Sequence, residues 1–278
     1  NMDKFQNVEE YNNLVNGVRK EFKPTLTNCY LYPEEVERYI SQGRLYYEKY
    51  VGELLIYSDE MTHYRIYYYW NQNYPFLVYK KDKVCAVANI YRGAEKSEKL
   101  LKAEEALLGA GFNQGDRMRH IEADWEVFQK QLRKFLPPAE KLFLEAGLKV
   151  MKPTKEMCPK IREFQKHMET IPFYEMQYIT DSEMCESGKV ICIVNQEGEV
   201  CAVDSWGNQG WKGILEEYRK SCGISLIQCK LLAEHLQERK IKKLTGMISE
   251  TNVQSIRFHF ALGYHWVDRY TDFWLLES

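Results

Sequence analysis

The stretch Ile214–Lys240, ILEEYRKSCGISLIQCKLLAEHLQERK, passes from a strand through the turn KSCGIS (Lys220–Ser225) directly into an amphipathic helix, whose apolar side carries Leu226, Cys229, Leu232 and Leu236. A strand-to-helix turn of small residues leaves the first helical N–H groups without intrahelical partners, and such groups can cradle an anion such as a pyrophosphate. Gly223 permits close approach of the backbone, and Arg219 and Lys220 add positive charge nearby. The same residues also read as an ordinary glycine-containing turn. Further on, TNVQSIRFHFALGYHWVDRYTDF (Thr251–Phe273) predicts a helix from an N-cap at Asn252 to Leu262, a stop at Gly263 and then an aromatic strand. Taken alone, this is a capped core helix.

Other groupings carry less. His259 and His265 have no cysteine or carboxylate in register with them, so no metal site is expected. Cys192 and Cys201 fall on paired predicted strands, where they could be neighbours, and they read as buried thiols rather than a disulfide. HYRIYYYWNQNY (His63–Tyr74) offers aromatic faces for stacking a ligand, but alternating strand aromatics more often fill a core or an interface.

The elements that must position these residues follow from pattern. VEEYNNLVNGVRKEF predicts an amphipathic helix ending at Lys23-Pro24, and YPEEVERYISQGRLYYEKY a second with Pro33 in its first turn. From Gly52 the segments GELLIYSDE, HYRIYYYW and FLVYKKDKVCAVANIY are rich in β-branched and aromatic residues and predict strands. Ala94–Gly147 reads as helical: one helix closes on Gly109 and Gly111, and a long one through Trp125, Phe128 and Leu132 breaks at Pro137-Pro138. The remainder alternates helices and strands to the aromatic C-terminal segment. Together these predict an α/β protein with a mixed, mainly antiparallel sheet flanked by helices. Lys152-Pro153 is the expected boundary between domains 2–153 and 154–278.

Composition excludes several classes. Thirty-eight basic against 40 acidic residues give a net charge of −2. With a pI near 6.4 this leaves no electrostatic footprint for nucleic acid. No stretch approaches the roughly 18–20 apolar residues of a membrane span. Met2 reads as the initiator, Asn1 as an added residue, and NMDKFQ lacks the order of a signal peptide. Eight cysteines without a CxxC pair point to a reducing, cytoplasmic location.

In this order and spacing, the two segments resemble the GNAT family of N-acetyltransferases over about residues 155–278. The family's coenzyme A loop, Q/R-x-x-G-x-G/A, is matched by Lys220-Ser221-Cys222-Gly223-Ile224-Ser225, with Lys first and Ser last; the later Asn, helix and Gly-Phe/Tyr are matched by Asn252, Gly263 and Tyr264. The resemblance implies that a splayed strand at about Gly213–Glu217 pairs with the pantetheine arm of acetyl-CoA through Leu215, Glu216 and Glu217. Arg219, Lys220, Ser221 and the main chain of Cys222–Ser225 would hold the pyrophosphate, with Asn252 and Ser255 also at the cofactor. An amine would attack the thioester directly, so the protein positions two substrates and moves protons.

Where the family commonly has a Tyr seven positions after the Asn, this chain has His259. Its imidazole is the candidate proton donor to the departing thiolate, with Tyr264 and Tyr270 as substitutes. Glu216, Glu217, Asp204 and Glu250 are candidate bases, and Glu216 and Glu250 are favoured; on a strand, Glu216 and Glu217 would face opposite ways.

KVCAV (Lys83–Val87) nearly recurs as EVCAV (Glu199–Val203), each within a predicted hairpin, which raises a tandem of GNAT-like halves. The earlier half lacks the loop: the positions 116 residues before it read EEALLG (Glu104–Gly109). The resulting expectation is an acetyl-CoA-dependent N-acetyltransferase acting on a small-molecule or peptide primary amine, with the cofactor in the C-terminal half. The rivals are a non-catalytic acyl-CoA-binding module and an aminoacyl-tRNA-dependent aminoacyltransferase of tandem fold.

Overall fold

The computed structural model describes residues 2–168, 172–206, 210–220 and 222–278. The chain begins with strand β1 (Asp3–Lys4), helix α1 (Val8–Glu21), β2 (Thr25–Thr27) and α2 (Pro33–Ser41). Strands β3 (Leu45–Tyr50), β4 (Glu53–Asp59), β5 (His63–Asn71) and β6 (Val84–Arg92) follow, then α3 (Glu98–Gly109) and β7 (Asn113–Asp124). Helix α4 (Trp125–Glu145) leads to β8 (Lys149–Met151), α5 (Cys158–Lys166) and α6 (Asp181–Glu186). The last elements are β9 (Val190–Val194), β10 (Val200–Ser205), β11 (Trp211–Ile214), α7 (Ile224–Leu236), β12 (Lys243–Ser249), α8 (Val253–Ala261) and β13 (His265–Leu276). Among the described residues no helix is long and apolar enough to cross a membrane.

Two compact units emerge. The first comprises residues 1–120, 247–252 and 266–278; the second, 121–246 and 253–265. The expected boundary at Lys152-Pro153 therefore lies inside the second unit, because the chain's last strand returns to the first.

The larger sheet has the strand order β1-β3-β4-β5-β6-β13-β7-β12, with β2 beside β5, and the first unit holds all of it except residues 121–124 of β7, 243–246 of β12 and His265 of β13. β5 and β6 are parallel, and their register is confined to His63–Ile66 against Val84–Val87, so the strands part beyond it. β13 fills the place after β6, with Arg269 opposite Arg92 and Leu276 opposite Cys85. Alternation along β5 sends Tyr64, Ile66, Tyr68 and Trp70 into one core and Tyr67 and Tyr69 into the other, packed against α1 and α2. The aromatic run is core on both faces.

The second unit holds the sheet β11-β10-β9-β8, antiparallel throughout. Phe164 and Met168, from α5 and just beyond it, pack on one face with Cys192 and Val203. Phe143 of α4 and Ile224 and Ile227 of α7 pack on the other with Cys201 and Ala202. Cys192 and Cys201 thus lie in separate cores rather than side by side, and among the described residues no cysteine is in a disulfide.

Three sequence expectations change. β7, NQGDRMRHIEAD, stands where the chain read as helical; its inward residues are Met118, Ile121 and Ala123, too few for a clear alternation signal. α4 runs through Pro137 and Pro138 instead of breaking there, since 21 residues anchored by Phe128, Leu132, Ala139 and Phe143 outweigh two missing N–H donors. Phe76–Tyr79 is not a strand, so KVCAV opens the single strand β6 and belongs to no hairpin.

Candidate functional site

β11 lies at the edge of the second unit's sheet, with β10 as its neighbour. It ends at Ile214, and Glu216–Tyr218 form a single 3-10 turn. The strand expected to reach Glu217 is therefore shorter, and the alternation argument does not apply to Glu216 and Glu217, which are both exposed on that turn. Leu215 donates its N–H to Cys201 O at 2.9 Å, so that group belongs to the sheet. Arg219 turns back, and its Nε donates to Ile214 O at 2.9 Å.

α7 begins at Ile224 on an N-cap Gly223 with φ of 68°, a conformation that favours glycine. The missing side chain also admits the α4 backbone: a Cβ on Gly223 would stand 2.5 Å from Ala139 O. Cys222 and Ile224 point into the core, Lys220 is exposed, and Ser221 lies outside the described residues. In the first turn of α7, Leu226 donates its N–H to Gly223 O at 3.1 Å.

The ionisable groups that the second unit brings together are different from those favoured by pattern. Asp204 on β10 stands directly opposite Lys212 on β11, on the sheet face covered by α7. Lys212 Nζ lies 3.8 Å from Cys229 Sγ of α7 and 5.8 Å from the centre of the Phe258 ring of α8. Burial raises the Asp204 carboxyl to about 6, with the Lys212 cation pulling the other way. Burial opposes the Lys212 charge, but the hydrogen bond to Cys229 and the neighbouring Asp204 hold it above the ordinary lysine range. Burial pushes the Cys229 thiol up. Beside them Gln228, 1% exposed, donates to Val203 O at 3.2 Å, and its Oε1 has no hydrogen-bond partner.

His259 joins this group from α8. Its Nδ1 is 2.8 Å from Ser255 O, so Nδ1 carries the proton and Nε2 is the acceptor. Burial, reinforced by the Lys212 cation, lowers its pKa to about 4. The imidazole is then neutral at pH 7 and has no surplus proton to donate. Tyr264, edge-on to His259 at 5.2 Å, is pushed up by burial.

Glu250 and Asn252 belong to the first unit. Glu250 pairs with Arg119 at 3.6 Å, whose guanidinium lies over the Trp266 and Tyr270 rings. Lys212 escaped sequence reading altogether: a lysine in a short strand reads as solvent-facing until its register opposite Asp204 is known.

No family model matches the chain, and no curated protein does. Solved structures do match. A tandem GNAT protein from the clavulanic acid biosynthesis pathway, in its form without acetyl-CoA, aligns over 100% of this chain and 98% of its own at 12% identity and TM-score 0.53. The chain has the tandem GNAT fold. The glucosamine N-acetyltransferase region of a fungal multidomain β-N-acetylglucosaminidase aligns over 99% of this chain and 38% of its own, at 11% identity and TM-score 0.56. A Drosophila protein aligns over 99% and 98% at 10% identity and TM-score 0.53. In GNAT terms, β1, β3, β4, β5 and β6 make one half's leading strands and β8–β12 the other's. The first four pairs share an offset of 145–148 residues (149 − 3, 190 − 45, 200 − 53, 211 − 63). The VCAV repeat, with its offset of 116, joins strands in different places, β10 in the third and β6 in the fifth.

Proposed function

We propose that the protein is an acyl-CoA-dependent N-acyltransferase, with acetyl-CoA as donor and a primary amine as acceptor, and that the second half carries the reaction. The observation behind it is the buried Asp204 carboxylate opposite the half-buried Lys212 of the edge strand β11, which leads into the α7 N-terminus. The thioester would lie along β11 with its pyrophosphate toward the first turn of α7, near Lys220. Attack by the amine nitrogen forms the C–N bond and breaks the C–S bond. Asp204, ionised above pH 6, takes the proton the nitrogen sheds and passes it to the thiolate, whose ordinary pKa near ~8.5 makes the transfer downhill. The Lys212 ammonium offsets the charge that gathers on oxygen and then sulfur, and neutral His259 offers Nε2 as an acceptor. Glu216, exposed on the turn after β11, and Glu250, on the first unit, become secondary candidates for the base.

The test is thiol release from acetyl-CoA with a panel of small amines, polyamines and peptides. Turnover that Lys212→Met abolishes while calorimetric acetyl-CoA binding persists supports this assignment. Binding without turnover on any amine supports a second reading, a non-catalytic acyl-CoA-binding module. That reading is favoured by Gly223 serving the α4 contact and by the unprotonated His259. Absence of both binding and turnover rejects the acyl-CoA assignment.

A further inference from the structure

The first unit contains a cavity of about 380 Å³ between the C-terminal end of β6, the start of α3 and the segment after β2. It shares no residue with the site above. At a water's share of roughly 30 Å³ the space takes about a dozen non-hydrogen atoms.

Apolar Leu26, Ile90, Leu100 and Ala103 line it together with the polar Asn28 and Asn89. There Asn89, 2% exposed, accepts a hydrogen bond on Oδ1 from Tyr68 Oη at 3.1 Å. Its Nδ2 is buried and has no hydrogen-bond partner. An amide donor left unsatisfied in the interior costs roughly 1–3 kcal/mol, and one that lines a cavity is satisfied when an acceptor enters. The rim carries Arg92 and Lys99, both exposed and, among the described residues, in no ion pair, against the single carboxylate of Glu95. The neighbouring Lys96 is already engaged by Asp272 and Glu104 and adds no free charge.

We propose that this cavity is a binding site for a small organic anion that carries an uncharged carbonyl at its far end, as an N-acylated amino acid does. The carbonyl accepts from Asn89 Nδ2, the carbon chain lies on Leu26, Leu100 and Ala103, and the carboxylate sits at Arg92 and Lys99. The inference stands apart from the acyl-transfer reading, because every residue it uses belongs to the first unit.

The experiment is calorimetric titration of the full chain with N-acetylglycine and N-acetylleucine, and with N-acetylleucinamide as the uncharged control. Saturable binding of the two acids is expected in the millimolar range or tighter, with the amide at least about 5-fold weaker. Asn89→Leu should weaken the acids by about 10-fold or more. The double variant of two exposed side chains, Arg92→Glu with Lys99→Glu, leaves the core untouched and should weaken them about 5-fold or more. Failure of both acids to bind at about 10 mM, ten times the weakest affinity expected, would overturn the proposal. So would equal binding of the amide, or affinity unchanged in the double variant.

Discussion

The two halves treat the same strand edge in opposite ways. In the first, β5 parts from β6 after Ile66, and the chain closes its own gap: β2 pairs along β5 from Thr27 opposite Tyr69 to Thr25 opposite Asn71. Asn28 bridges the fork by donating to Ile66 O at 3.1 Å and Ala88 O at 3.2 Å and accepting from Tyr68 N at 2.7 Å. In the second half, β11 has β10 on one side and ends the sheet. Nine residues lie between β11 and the helix α7 that follows it, whereas only irregular chain separates β5 from β6. An edge whose N–H and C=O groups are already paired has nothing left for a ligand to pair with. The tandem fold holds two frames, and only the second keeps an open edge beside a helix N-terminus.

If the second half alone carries chemistry, removing the Asp204 carboxylate should have the largest effect. Asp204→Asn is expected to lower kcat by about 100-fold or more, with acetyl-CoA affinity within a few-fold of wild type. The wild-type rate should rise with pH to a plateau above about 6, as the raised carboxyl ionises, and the variant should lose that inflection. A pH–rate profile for both proteins decides it, and an inflection retained in the variant assigns the base elsewhere.

Next in size is the plug in the first half. Asn28→Ala deletes a buried side chain that makes three hydrogen bonds, so denaturant unfolding should show a loss of about 2–4 kcal/mol. The open edge of β11 involves none of these atoms, so affinity for acetyl-CoA should not change. A large drop in affinity at unchanged fold would mean the first half binds the cofactor too.

His259 offers a subtler contrast. Its pKa is depressed to about 4 by burial and the Lys212 cation, against about 6.5 when unfolded. A depressed value gives stability that is present above 6.5 and lost as pH falls toward 4, because the unfolded chain takes the proton first. Between pH 7.5 and 4.5 this amounts to about 2.5 kcal/mol. His259→Asn should reduce the acid loss by about that much in paired urea melts at the two pH values; an unchanged acid loss would show that the imidazole is readily protonated in place.

How much of this was legible beforehand depends on which physical signal each element carries. Buried strands such as β5 and β9, and helices with caps and glycine stops, announce themselves by side-chain type. α8 and Gly263 stand where pattern placed them; a Cβ there would press on Val127 Cγ1 at 2.6 Å. β7 did not announce itself, since a strand with few inward side chains keeps polar residues at most of its positions. The VCAV repeat misled because two buried strands select the same small apolar residues wherever they stand in a sheet. The return of β13 to β6 is set by pairing across some 180 residues, as between Phe273 and Ala88, and no local pattern encodes it. The candidate site followed the same rule: the loop was visible, while Lys212 depended on strand register.

The smallest expected effect probes the loop itself. Lys220 is exposed, so Lys220→Glu leaves packing intact, unlike Gly223→Glu, whose side chain would collide with Ala139 and confuse folding with binding. If the pyrophosphate rests at the first turn of α7, reversing this charge costs about 1 kcal/mol at low ionic strength, or about 5-fold in the acetyl-CoA Kd. The deficit should shrink as salt rises toward 0.5 M, where screening shortens the reach of an exposed charge to roughly 4 Å. Titration at two salt concentrations reads both numbers. Equal affinity at low salt would move the phosphate away from Lys220 and leave the open edge of β11 as the cofactor's only proposed hold.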